Sequence, residues 1–169
     1  MANCCYNKLE INGSQQNIEE LQRFITLSEP VDGEQYDLGK ILPLETDSDE
    51  EAREKWGTYW FAGIDFENHG EEATLSFDSA WSPALPITLE MSKQFNLRIN
   101  HYYDEPGMFF EGNYIVENGE VIADKEREYR PACTVCGIKH ELEDLIHDKE
   151  DYEDYCRKCY KQKSNGTID

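Results

Sequence analysis

CCYNKLEINGSQQNIEELQRFI, residues 4–25, changes its hydrophobic period at Gly13. Before the glycine it alternates, with Cys5, Asn7, Leu9 and Ile11 on one face, which is the two-residue period of a strand. After it, Ile18, Leu21, Phe24 and Ile25 recur at helical spacing. Asn17 followed three residues later by Glu20 fits a capping box, so the helix is expected over 17–27. The chain therefore opens with a strand and a helix.

Further elements follow downstream, with no internal repeat evident. Glu29 to Gly33 is turn-like, Asp37 to Leu44 reads as a short strand ending at Pro43, and Glu45 to Lys55 reads as helix or solvated loop. Trp56 to Phe66 and Glu72 to Asp78 are rich in aromatic and β-branched residues and predict two strands turned at Asn68-His69-Gly70. Ser82-Pro83 introduces a helix over Ala84 to Phe95, with Leu85, Leu89 and Met91 or Ser92 near one face. Leu97 to Tyr103 alternates again. Phe109 to Val116 and Val121 to Ala123 flank Asn118-Gly119, a type I′ hairpin signal. Strand, helix, strand, strand, helix, strand is the split βαβ order, so the fold class is α+β: a ferredoxin-like domain over residues 1–125 with an added hairpin. Residues 126–169 form a separate module, reached through a charged connector from Lys125 to Arg130 and opened by Pro131.

That module is defined by cysteine. Cys133-x2-Cys136, nineteen residues, then Cys156-x2-Cys159 matches the spacing of four-cysteine structural zinc sites of zinc-ribbon or treble-clef type. Two residues between paired sulfurs let both reach one tetrahedral ion, and Gly137 suits the turn of a zinc knuckle. A short helix is expected from Cys156 to near Gln162. One structural Zn2+ is the expected cofactor. Four cysteines complete the shell, leaving His140 and His147 as surface groups and no open position for a catalytic water. Cys4 and Cys5 are expected to pack as small hydrophobes.

Charge is the other dominant feature. The chain has 36 acidic and 16 basic residues, a formal net charge of -20. Through Lys125 it holds 25 acidic and 8 basic residues, against 11 and 8 afterwards, so the excess belongs to the first domain. Duplex DNA would be repelled by that surface, and no direct DNA binding by it is expected. Six carboxylates fall between Glu45 and Lys55. Glu45, Asp47, Asp49, Glu50, Glu51 and Glu54, with Glu67, Glu71 and Glu72, are the candidate partner-binding residues, because such a field draws in cationic proteins. Arg157, Lys158, Lys161 and Lys163 form the one basic cluster; they either offset the thiolates' charge or contact phosphate.

No run of 18 apolar residues exists, and Met1 to Cys5 lacks the basic and apolar regions of a signal peptide, so neither membrane contact nor export is expected. Nor is an enzyme. His101 with Asp104 and Glu105 is the one acid/base arrangement, and a nucleophile, phosphate loop or oxyanion hole is missing; the carboxylates would serve the Pro106-Gly107 turn. Trp56, Trp60 and Trp81 lack the neighbouring cations of a base-stacking platform.

Met1-Ala2-Asn3, Cys5-x-Asn7, Trp56-Gly57-Thr58, Ala80-Trp81-Ser82-Pro83 and Tyr103-x-Glu105-Pro106-Gly107 occur in this order. Together they resemble the ferredoxin-like YubB family of phages and plasmids, over roughly residues 1–115. Cys4 stands where that family usually has Trp. The resemblance implies the fold and an origin on mobile elements. Combined with the charge, it leads to the expectation of an inhibitor, in the host cytoplasm, of a basic host protein that handles nucleic acid, with anti-CRISPR blockade of target DNA loading by a Cas nuclease such as Cas9 as the leading form. A nucleic-acid-binding or regulatory protein acting through the zinc module is the alternative.

Overall fold

β1 (Cys4–Asn12) is the central strand, and its inward residues Cys5, Asn7, Leu9 and Ile11 are all fully buried. In the computed structural model, which describes residues 3–46, 48–149 and 153–164, the chain divides into two compact units, Met1–Arg127 and Glu128–Asp169.

In the first unit β1 leads into α1 (Gln15–Ile25), then a small hairpin of β2 (Thr26–Val31) and β3 (Glu34–Tyr36), then α2 (Asp49–Trp56). β4 (Phe61–Asn68), β5 (Glu72–Ala80), α3 (Leu85–Phe95), β6 (Arg98–Glu105), β7 (Phe110–Glu117) and β8 (Glu120–Glu128) follow. The six-stranded sheet has the order β4-β5-β1-β6-β7-β8, with β1 antiparallel to both β5 and β6. The four successive positions β4-β5-β1-β6 are those of the split βαβ arrangement, and β7-β8 is the added hairpin.

One face of the sheet is covered. α1 buries Ile18, Leu21 and Ile25, and α3 buries Ile87, Met91 and Phe95, against Leu9, Ile11, Leu75, Phe77 and Ile99 of the strands. Each such aliphatic side chain contributes about 1.5–3 kcal/mol on leaving water. The stripe on α3 is shifted from the expected one: Leu85 and Leu89 are only partly buried, because Ile87, Met91 and Phe95 share the i, i+4, i+8 face.

Several boundaries differ from the sequence expectation, each for a local reason. Ser14, not Asn17, caps α1: its hydroxyl accepts the Asn17 N–H at 3.2 Å, so the helix starts earlier. Residues 26–31 continue as β2 instead of turning at Glu29, and the turn is confined to Asp32-Gly33, both at positive φ. Leu38–Lys40 is a 3₁₀ turn and not a strand, with Asp37 accepting the Gly39 N–H at 2.8 Å. Trp56 closes α2, and the next strand begins only at Phe61. β8 runs through Glu128, much longer than the expected segment 121–123, and takes in part of the connector. Its turn is as expected: Asn118 and Gly119 sit at φ 52° and 82°, the left-handed pair of a type I′ hairpin.

The second unit contains a 3₁₀ turn at Leu142–Asp144, a hairpin of β9 (Leu145–Asp148) and β10 (Glu153–Cys156), and α4 (Arg157–Ser164). No helix among the described residues is long and apolar enough to cross a membrane.

Candidate metal centre

The first cysteine pair lies on a tight knuckle. Ala132 and Lys139 bridge its base, Cys133 N–H donates to Ile138 O at 2.9 Å, and Gly137 N–H donates to Cys133 O at 2.8 Å. Gly137 makes the reversal at φ 69°, where a side chain would be strained. The second pair straddles a junction: Cys156 ends β10 and Cys159 lies in the first turn of α4. Each Cys-x-x-Cys thus aims both sulfurs to one side.

The four Sγ atoms all lie within 4.8 Å of one another, and all six cysteines of the chain are free thiols. Zinc–sulfur bonds of about 2.3 Å place tetrahedral sulfurs about 3.8 Å apart, so a small contraction closes this cluster on an ion. Cys133, Cys156 and Cys159 are buried while Cys136 reaches the surface. Burial opposes ionisation of Cys133, but N–H groups of Cys136, Cys156 and Val135 directed at its sulfur bring the thiol down to about 6. Burial and the neighbouring sulfurs Cys156, Cys133 and Cys136 push Cys159 up to about 12. A divalent ion at the centre of the cluster would draw the protons off its sulfurs and hold them as thiolates.

The surrounding core is small. Tyr155 is buried with the cysteines, and Leu145 and Tyr160 pack beside them. Neither histidine joins the sulfur cluster: His147 Nδ1 meets Asp154 Oδ1 at 3.0 Å, and His140 lies apart with a buried Nε2. Of the basic residues, Lys163 serves the unit itself, donating to Asp148 Oδ2 at 2.6 Å and sitting 4.6 Å from the Tyr155 ring centre. Arg157, Lys158 and Lys161 are exposed.

The candidate partner-binding carboxylates fall into two groups separated by the length of β4. On α2, Asp49 and Glu50 are exposed in the first turn, where they complement the helix dipole, and Glu54 is exposed further along. Asp47 lies outside the described residues. Glu51 turns inward: it accepts the backbone N–H groups of Glu45 and Thr46 at 2.7 Å each, as well as the Thr46 hydroxyl, and pairs with Lys55 at 2.9 Å. Lys55 also reaches Glu45 at 3.8 Å. In the second group Glu67 lies on β4, Glu71 in the turn and Glu72 at the start of β5, all exposed.

The bonds from Glu45 and Thr46 and the Lys55 ammonium lower the Glu51 carboxyl to about 2. Its stabilising contribution is complete above the ordinary carboxylate range and is lost as pH falls toward 2. Glu51→Gln is expected to lower the Tm at neutral pH by a few degrees and to flatten the acid limb of a Tm-against-pH series. Parallel limbs for the two chains would contradict that role.

His101 and Asp104 do not form a pair. His101 faces the core with Tyr103 and Glu105, whereas Asp104 lies on the opposite face of β6. The imidazole is fully buried and both nitrogens are engaged, Nδ1 with Thr88 Oγ1 at 2.8 Å and Nε2 with Asn7 Oδ1 at 3.0 Å. Burial depresses it to about 3, so the ring is neutral. Asn7 Oδ1 only accepts, which fixes the Nε2–H tautomer and makes Thr88 the donor to Nδ1. Asn7 completes the network by donating to Cys5 O at 2.9 Å and Ser79 Oγ at 2.8 Å. Glu105, also buried, accepts the Met108 N–H across the turn, as its place before Pro106-Gly107 suggested. The hub role of Asn7 was not read from the sequence; its one signal there was a polar residue on the apolar face of β1.

Cys5 is a core thiol and Cys4 is exposed. Trp56 is half-buried, donating through Nε1 to Leu42 O at 2.7 Å and packing on Phe61, while Trp81 is exposed.

A family model described as the ferredoxin-like domain in Api92-like protein matches residues 55–153. The matched stretch runs beyond the sheet into the cysteine unit and stops before Cys156. The crystal structure of protein Api92 from Yersinia pseudotuberculosis superposes with a TM-score of 0.62 at 12% identity, covering 78% of this chain and 100% of that one. At that identity the likeness concerns the fold. No curated protein matches the sequence.

Proposed function

From the premise that this chain belongs to the family with the Api92-like ferredoxin-like domain, we propose that it is a binding protein and not an enzyme: an acidic inhibitor of a basic, nucleic-acid-handling host protein. The observation that carries this reading is the charge, 25 acidic against 8 basic residues through Lys125. A field of that sign accelerates association with cationic proteins and repels polynucleotide. The separation of His101 from Asp104 across β6 supports a non-catalytic role. The resemblance to the YubB family supports an origin on a phage or plasmid and action in the host cytoplasm.

The target class is a CRISPR effector nuclease such as Cas9, whose guide–target duplex lies in a positively charged channel. An acidic domain occupying that channel, or a basic lobe beside it, stops target DNA from loading. One structural Zn2+ held by Cys133, Cys136, Cys156 and Cys159 keeps the C-terminal unit folded. Purified protein is expected to retain a Cas nuclease in a pull-down at about 150 mM salt and to suppress DNA cleavage. Loss of both results removes the reading.

The exposure of Arg157, Lys158 and Lys161 on α4 favours one second reading, binding of nucleic acid through the zinc unit. Steeply salt-dependent DNA affinity that disappears when those residues are replaced would establish it over the first.

A further inference from the structure

Among the described residues of the first unit, no helix covers the face of the sheet opposite α1 and α3, and one end of that face is built unlike the rest. β1 begins there and β5 and β6 end there, since Cys4 pairs with Ala80 while Tyr6 lies between Asp78 on one side and Asp104 on the other. Tyr6 is 45% exposed. Just past β5, Trp81 N–H donates to Asn3 O at 2.9 Å, which extends the ladder by one residue. The Asn3 side chain in turn abuts the Pro106-Gly107 turn: its Nδ2 lies 2.7 Å from where a Cβ on Gly107 would stand. That turn projects Met108 and Phe109. Trp81, Met108 and Phe109 are 42%, 57% and 52% exposed.

Two of these bulky side chains stand on strained backbone. Trp81 has φ 68° and Phe109 φ 59°, in the left-handed region that large residues avoid. The conformation of Trp81 is held by its surroundings: Ser82 N–H donates to Ala80 O at 2.8 Å, Ser79 Oγ donates to Ser82 O at 2.7 Å, and Ser82 Oγ donates to Gly57 O at 2.5 Å. Phe109 N–H donates to Pro106 O, and Met108 N–H is held by Glu105. A fold that spends several hydrogen bonds keeping a tryptophan strained and wet retains it for something other than stability. Exposed aromatic residues grouped at one place, rimmed by polar groups, are the composition of an interface centre.

We propose that Tyr6, Trp81, Met108 and Phe109 form the docking patch of this protein, and that its occupant is a protein surface presenting arginine or lysine beside apolar side chains. Charge complementarity selects that occupant. Asp78 and Asp104 flank Tyr6 on the two neighbouring strands, so an incoming cation can lie on the tyrosine ring beside carboxylates. Polynucleotide would meet the same carboxylates and be repelled. The assignment rests on the acidic-binder reading and names the surface it uses, which differs from the α2 and β4–β5 carboxylates.

The test is solution NMR on the zinc-loaded full chain at about 150 mM salt, with three probes: a short peptide alternating arginine and tryptophan, an oligolysine, and single-stranded DNA. The arginine–tryptophan peptide is expected to shift the signals of Tyr6, Trp81, Met108 and Phe109. Trp81→Gly and Phe109→Gly are expected to weaken its binding about tenfold or more while leaving the melting temperature unchanged or raised, because glycine relieves the left-handed strain. The exposed double change Glu20→Gln with Glu29→Gln should alter binding less than about twofold. Shifts centred on α2, or glycine variants that bind normally, would overturn the patch and leave the acidic-binder reading standing. Failure of both cationic probes to bind would end both, and DNA shifting the patch signals would overturn the choice of occupant.

Discussion

Serine in place of Cys133 or Cys159 is expected to deprive the C-terminal unit of its metal and its fold together. About 40 residues whose described core beside the cysteines is one buried tyrosine, a half-buried leucine and a second tyrosine do not offset their chain entropy by that burial. Zinc bound by the four cysteines would supply the missing stabilisation; structural zinc in small modules binds with an apparent 10–16 kcal/mol, roughly, and removing one ligand would forfeit most of that advantage. Metal analysis of the parent should return about one zinc per chain, and the serine variants close to none. Limited proteolysis should then cut the variants between Glu128 and Lys149 while sparing the sheet, and a strong chelator should reproduce the pattern in the parent. A metal-free variant as resistant to protease as the parent would remove zinc from its structural role.

The second large effect is expected at the centre of the sheet. Asn7→Ala deletes the acceptor of His101 Nε2–H and the donor to Ser79 and Cys5 in one step, inside a site without exposure. With each orphaned buried group costing about 1–3 kcal/mol, a loss of roughly 3–5 kcal/mol by urea denaturation is expected. His101 adds a pH dependence. Its folded value of about 3 lies below the ordinary 6.5, so the folded chain refuses a proton that the unfolded chain accepts. Stability from this group is therefore full above pH 6.5 and is lost as pH falls toward 3, about 2 kcal/mol of it by pH 5. The carboxylates impose their own slope on the same curve. That slope is common to the parent and His101→Gln, so the difference between the two chains isolates the histidine. If the two stability curves run parallel between pH 7 and 4, the buried neutral ring is not what the acid limb reports.

The parts of this molecule that were legible in its sequence are those set by short-range rules. The period change at Gly13, the Asn118-Gly119 turn and the two Cys-x-x-Cys pairs each act within a few residues, and the structure places β1, the β7–β8 hairpin and the four-sulfur cluster accordingly. Ser14 was passed over because the capping-box pattern asks for a Glu three residues on, and the residue there is Asn17. Leu38 and Ile41 are both buried, which over so short a segment suits a 3₁₀ turn as well as a strand. The length of β8 could not be read because nearly all its residues are exposed, leaving no alternation to follow. Function was harder still. Glu50 and Glu51 are adjacent and chemically alike, yet one faces water and the other closes a local network. Apart from Cys5, the partners of Asn7 lie 70 to 94 residues away, beyond any motif.

Among the described residues β8 is an edge strand of the sheet, and it is studded with Glu120, Asp124, Lys125, Glu126, Arg127 and Glu128. Like charges on two copies keep such edges from zipping together. That guard depends on ionisation, and it fails where the whole chain approaches neutrality, near the sequence pI of about 4.4. With Val121 and Ile122 already half uncovered on the same strand, mildly acidic solution is the condition in which this protein would polymerise edge to edge, before it ever unfolds.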